Sequence, residues 1–166
     1  MHTGEGDISQ IGTMKEWNFK ETNGAFDGDC GKIYGSAGEF YPPKLTKQDS
    51  ISFFTPDMCR NIPLDYDKDV DIHGIKGYKF SGGARSVDNG TLYPENWCFA
   101  PGEGTYNGVL NVSSCRSGAP IFISYPHFYA ADPYYVNQVE GMEPDTDKHQ
   151  FYICLLYTSP SPRDRG

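Results

Sequence analysis

The chain has 166 residues, with 12 Pro, 19 Gly, 5 Cys and 14% aromatics, and its 14 basic and 22 acidic side chains leave a formal charge of −8. Pro and Gly together make up about 19%, short of the ~25–30% of low-complexity chains, and the aromatic content exceeds what disordered chains carry. The acidic balance (pI near 4.8) and the lack of a Lys/Arg cluster argue against nucleic acid as a partner; no apolar run approaches the ~18 residues that span a bilayer, and the start Met1-His2-Thr3-Gly4-Glu5-Gly6-Asp7 has neither the basic nor the apolar part of a signal peptide.

In chain order, residues 5–19 are expected to hold a strand around Ile8 to Trp17, and residues 22–43 read as loop. Residues 48–59 place Ile51, Phe54 and Met58 at helical spacing after possible caps at Thr46 or Asp49, which predicts one short helix that Pro56 ends early. The clearest period follows. In residues 61–72 the even positions Ile62, Leu64, Tyr66, Val70 and Ile72 are apolar, with Lys68 the exception. The odd positions Asp65, Asp67, Asp69 and Asp71 are acidic. That alternation predicts a strand with one buried and one wet face. Gly74 breaks it, and residues 75–80 read as a second strand. Residues 85–107 read as loop. Residues 108–114 and 119–125, separated by Cys115-Arg116-Ser117-Gly118, look like a hairpin. The end, Ser159-Pro160-Ser161-Pro162-Arg163-Asp164-Arg165-Gly166, has no period and is expected to be a disordered tail. The fold class expected is mainly β, antiparallel, with long loops.

Few residues carry a recognisable chemistry. The Asp65–Asp71 series lacks the Gly and the bidentate Glu of a calcium loop, and is expected to be one solvated, self-repelling row. No Cys-x-x-Cys pair offers a zinc site. No Gly-x-Ser-x-Gly elbow is present, and a nucleophile using His73, His127 or His149 would need partners that only the fold brings together; His127 is expected to be structural. The stretch Gly102-x-Gly104-x-x-x-Gly108 lacks the strand and helix of a dinucleotide fingerprint and reads as loop. Neither enzyme activity nor a metal or cofactor is expected. Disulfides are the better use of Cys30, Cys59, Cys98, Cys115 and Cys154. Four cysteines allow three pairings, among which the residues alone do not choose. Two sequons, Asn89-Gly90-Thr91 and Asn111-Val112-Ser113, agree with an oxidising compartment and mark Asn89 and Asn111 as glycosylation candidates.

Several ordered stretches carry a resemblance. Cys115-Arg116-Ser117-Gly118-Ala119-Pro120-Ile121-Phe122-Ile123-Ser124-Tyr125-Pro126-His127-Phe128-Tyr129-Ala130-Ala131-Asp132-Pro133 closely resembles the signature of the class B scavenger receptor family. Trp17-Asn18 resembles its Trp-Asn/Lys-Gly element. Gly35-Ser36-x-Gly38-Glu39-Phe40-Tyr41-Pro42-Pro43, Phe54-x-x-Asp57-Met58-Cys59-Arg60-Asn61-Ile62 and Gly74-Ile75-x-x-Tyr78-Lys79-Phe80 agree in order, as do Asn96-x-Cys98-Phe99, Glu140-Gly141-Met142-x-Pro144 and His149.

The resemblance implies part of an antiparallel β-barrel ectodomain, with membrane helices and apical helices outside this chain. It implies the pairs Cys30–Cys98 and Cys59–Cys115, and leaves Cys154 odd. It implies residues 1–153 as the ectodomain piece and residues 154–166 as a non-family tail of foreign origin. It also implies a receptor, on the plasma membrane or in the lysosome, for lipids and lipoproteins, which passes lipid through a tunnel. Ile62, Leu64, Tyr66, Phe80, Ile121 and Ile123 are then candidates to line that tunnel or, more simply, to pack the barrel. The alternative reading is a free-standing secreted β module that binds carbohydrate or protein through its loops.

Overall fold

The computed structural model describes residues 1–100 and 106–156. Most of Gly102-x-Gly104-x-x-x-Gly108 and all of residues 157–166, including the expected disordered tail, lie outside the described residues. The central element is an antiparallel sheet of β1 (Ser50–Thr55), β2 (Arg60–Ile72), β3 (Ile75–Ser81) and, returning from the far end of the chain, a last strand at Tyr152–Leu156, in that spatial order. Between β3 and the last strand come the single turns α1 (Ala84–Val87), a short hairpin of β4 (Val109–Asn111) and β5 (Phe122–Ser124), then α2 (Pro133–Gln138) and α3 (Thr146–His149); the last strand is β6.

The register explains the core. Ile51 lies opposite Leu64, Phe53 opposite Ile62, Tyr66 opposite Phe80, Phe80 opposite Ile153 and Tyr78 opposite Leu155, so all share one face of the sheet. Ile51, Ile62, Leu64 and Phe80 are buried there, Leu64 and Phe80 completely. β2 and β3 meet through a two-residue turn, His73-Gly74, in which both residues have positive φ (53° and 84°). That is the twist-matched hairpin turn, and it is why a glycine ends the alternating run.

Residues 48–59 depart from the expected helix. Ser50–Thr55 is a strand because its Ile51 and Phe53 face the core while Phe54 is buried from the opposite side, against Trp17 at 6.1 Å. When both faces of a strand are covered, apolar residues fall on odd and even positions alike and imitate a helical spacing. The strand expected around Ile8 to Trp17 is also absent. Ile8–Gln10 is one 3₁₀ turn capped by Asp7, and Thr13 and Trp17 make only isolated bridges.

The acidic row of β2 is not one row. The pairing shifts between Tyr66 and Lys68, leaving Asp67 as the extra residue of a bulge. Beyond it the side chains change faces. Asp69 stands on the Tyr66 side, where its carboxylate accepts from the Tyr66 hydroxyl (3.0 Å) and pairs with Lys47 (2.6 Å). Asp65 pairs with Arg85, Asp67 with Lys79 at 2.9 Å, and Asp71 accepts from the Gly74 N–H. Each carboxylate thus has its own donor, which removes the expected self-repulsion. Among the described residues, no three His, Cys, Asp or Glu are grouped to hold a metal ion.

Two disulfides, Cys30–Cys98 and Cys59–Cys115, tie the loops to the sheet across 68 and 56 residues. Loops of that length make each bridge worth about 4 kcal/mol by the chain-entropy account. Asn23 reinforces them, donating from Nδ2 to the carbonyls of both Cys30 and Cys59. Cys154 is unpaired and lies in β6, opposite Lys79.

Candidate apolar binding cavity

A cavity of about 350 Å³ opens between the sheet and the β4–β5 hairpin. Its sheet wall is Phe53 and Ile62, which period two points to the core side. Its opposite wall is Leu110 and Ile123, paired across the hairpin, with Val87 of α1 closing one side. Phe151, in ring contact with Phe53 at 5.6 Å, closes the side toward β6. A void lined mostly this way offers a guest few hydrogen bonds along these walls, so it favours hydrocarbon over water.

The few polar groups at the wall are mostly satisfied by the protein. The Ser86 hydroxyl donates to the Pro63 carbonyl at 2.6 Å. Burial pushes the Tyr125 phenol up from its ordinary value, against the opposing pull of Ser86 and Arg60, so it stays neutral. The phenol fits because Gly82 lies beneath it: a Cβ there would stand 2.3 Å from the Tyr125 oxygen.

The mouth is different. Lys148 and His149 line the cavity and also line a second, polar hollow of about 440 Å³ together with His127, Glu143, Pro144 and Asp145. The rings of His127 and His149 stack face to face, centroids 4.2 Å apart and planes 8° from parallel. His127 Nδ1 accepts from the Glu143 N–H (3.1 Å), and His149 Nδ1 from the Asp145 N–H (3.0 Å). Burial is the largest influence on the Asp145 carboxyl and raises it, yet the N–H groups of Asp147 and Lys148 and the Lys148 charge together hold it below its ordinary range.

Of the residues singled out as tunnel candidates, Ile62 and Ile123 line the cavity. Leu64 and Phe80 are packed in the core with Tyr66 against them, and Ile121 is 41% exposed. Phe53, Leu110 and Phe151 were not legible as lining residues, since the segments they belong to meet only in the folded chain. Asn111, at the end of β4, is exposed, whereas Asn89 is partly buried, with its side-chain oxygen accepting from the Thr91 N–H and hydroxyl.

A buried cation lies beside this site. Arg60 is 2% exposed, its guanidinium 3.8 Å above the Phe99 ring, and its Nε and Nη2 find no acceptor among the described residues. Burial pushes its pKa down to about 10, against the pull of Tyr125 and Tyr34.

Among the described residues no helix is long and apolar enough to cross a membrane. Residues 1–161 match the CD36 family. The chain is 44% identical to Protein peste of Drosophila melanogaster over 167 aligned positions, covering all of this chain and 30% of that protein. It is 38% identical to Scavenger receptor class B member 1 of Rattus norvegicus and 32% identical to Lysosome membrane protein 2 of Homo sapiens, each over 154 positions, which are 92% of this chain and 30% and 32% of those proteins. The chain therefore spans about a third of the length of these relatives. Matched along nearly its whole length by the family and by relatives of this identity, the chain belongs to the CD36 family, the class B scavenger receptors.

Proposed function

We propose that residues 1–153 are part of the ectodomain of a membrane-anchored scavenger receptor, at the cell surface or in the lysosome, that binds lipoproteins, fatty acids or other apolar ligands and passes lipid along an internal conduit. The observation that carries this reading is the apolar cavity between the sheet and the β4–β5 hairpin. Each CH₂ moved out of water gains about 0.8 kcal/mol, so an acyl chain leaves an aggregate readily only into a site that stays apolar throughout. Family membership supports the receptor role and the membrane anchorage through segments outside this chain. On the same reading the sequons Asn89 and Asn111 carry glycans on the extracellular or lumenal side, with Asn111 the more accessible.

The test fills the cavity. In the full-length receptor, Ile123→Trp puts an indole into the space opposite Ile62, and Phe151→Trp fills it from the β6 side. Both variants are expected to reach the membrane at wild-type levels and to lose uptake of a fluorescent long-chain fatty acid by about tenfold, the effect of ~1.4 kcal/mol of lost binding. Uptake unchanged in both variants at equal surface level overturns the reading.

A further inference from the structure

The stacked histidines at the cavity mouth do something that packing does not require. Each ring accepts a backbone N–H at Nδ1. An imidazole nitrogen that accepts carries no proton, so both rings are neutral in this arrangement, with their hydrogens on Nε2. A second proton on either ring lands on Nδ1, turns the acceptor into a donor, and breaks that bond. If both rings take up a proton, two cations face each other at the 4.2 Å stacking distance. Of the two bonds that fail, Glu143 N–H to His127 Nδ1 ties the segment containing Glu143, Asp145 and α3 to the corner at Pro126–Phe128, and Asp145 N–H to His149 Nδ1 lies within the segment and fixes the His149 ring that stacks on His127. Lys148 and His149 of that segment form the cavity mouth. The corner is itself strained: His127, Phe128 and Ala130 all have φ between 53° and 57° without being glycine, a conformation that persists only where the surroundings hold it.

We propose that the His127–His149 stack is a proton-operated latch on the mouth of the apolar cavity, closed while both rings are neutral and released in acid. The proposal rests on the cavity being the lipid site. Imidazole is the side chain whose charge ordinarily changes between about pH 8 and pH 5, so the closed arrangement is stable at the upper end and lost as pH falls. The other charged groups of the hollow are Glu143, Asp145 and Lys148. The corner at residues 125–130 contributes only the phenols of Tyr125 and Tyr129, and α2, which packs on that corner, brings Asp132, occupied by the Tyr134 N–H. Asp145 is held below the ordinary carboxylate range, so the cap it gives α3 survives at the pH where the latch opens. The event is therefore release of the segment from the corner, with one bond across the α3 turn lost and its Asp145 cap kept.

Asparagine places a side-chain oxygen where Nδ1 stands and does not titrate, so the double variant His127→Asn with His149→Asn keeps both acceptors. Two readouts are taken on the complete, unliganded ectodomain between about pH 7.5 and pH 5. The first is hydrogen exchange at the Glu143 and Asp145 amides, corrected for intrinsic rates. Protection is expected to fall at least about tenfold in the wild type and to stay constant in the double variant. The second is the dissociation rate of Nile red, an uncharged dye, from the site that Ile123→Trp blocks, expected to rise about tenfold in acid in the wild type alone. Amide protection unchanged to pH 5, or an equal fall in the double variant, overturns the latch. So does a fall in protection with no change in dye release. Amides that open in acid while no Ile123-dependent dye binding exists at any pH would instead overturn the cavity reading and leave the pH-dependent release of the segment in place.

Discussion

The hairpin turn at Trp17–Lys20 allows a calculation with few unknowns. Trp17 and Lys20 exchange both backbone hydrogen bonds (2.9 and 3.1 Å), and the two residues between them, Asn18 and Phe19, have φ of 50° and 63°. Asparagine tolerates that region; phenylalanine does not, and a non-glycine residue there costs roughly 1–2 kcal/mol from the contact of Cβ with the following carbonyl. The Phe19 side chain is 98% exposed, so removing it forfeits no packing. Phe19→Gly therefore relieves the strain and loses only the added freedom of glycine in the unfolded chain, about 0.5–1 kcal/mol. At the middle of these ranges the net gain is about 0.75 kcal/mol, or roughly 1.5–3 °C in Tm for a chain of this size. Phe19→Ala keeps Cβ and the strain, so it leaves Tm unchanged. The assay is thermal unfolding of the three proteins at matched pH and salt. A glycine variant no more stable than the alanine variant refutes the reasoning.

Two other predictions follow from single residues. Burying the Arg60 guanidinium with Nε and Nη2 lacking acceptors among the described residues costs several kcal/mol, and stacking on Phe99 returns about 2 kcal/mol. Arg60→Met is accordingly expected to raise stability by about 1–2 kcal/mol, read by urea unfolding. Because burial lowers the pKa of Arg60 only to about 10, the group is charged and its cost fully present below that value; the cost is relieved as pH rises above it. The gain from methionine is thus the same at pH 6 and pH 8, and a destabilised Arg60→Met protein would show that the guanidinium has a partner. For the sequons, Asn111→Gln in the full-length protein is expected to abolish one glycosidase-sensitive mobility step, while Asn89→Gln has the smaller effect; the reverse order would show that exposure in the folded chain does not govern their use.

The sequence by itself determined the elements whose pattern is local. Alternation across residues 61–72 and the His73-Gly74 turn specify β2, β3 and their hairpin, because a strand buried on one face must alternate and only positive-φ residues close so tight a turn. The spacer after Asn111 likewise located the β4–β5 pair. Even the one defect in the alternation, Lys68, sits at the bulge beside Asp67, although the pattern alone gave no reason to expect the faces to exchange there. The ordered motifs identified the family, but they did so through residues such as Cys115 and Pro126 whose work is not visible in any period.

What the tertiary structure decided is everything that depends on which segment covers which face. Phe54 imitates a helix position because Trp17 covers the outer side of β1. The cavity exists because β4 and β5, distant in sequence from β1 and β2, stop short of filling the space above Phe53 and Ile62. His127, expected to be structural, and His149, singled out as part of the family pattern, become a stacked pair through the corner where His127, Phe128 and Ala130 have positive φ. Local pattern fixes which side of a strand is apolar; only contacts between distant segments fix whether that side meets another side chain, an open cavity or a partner that changes with pH.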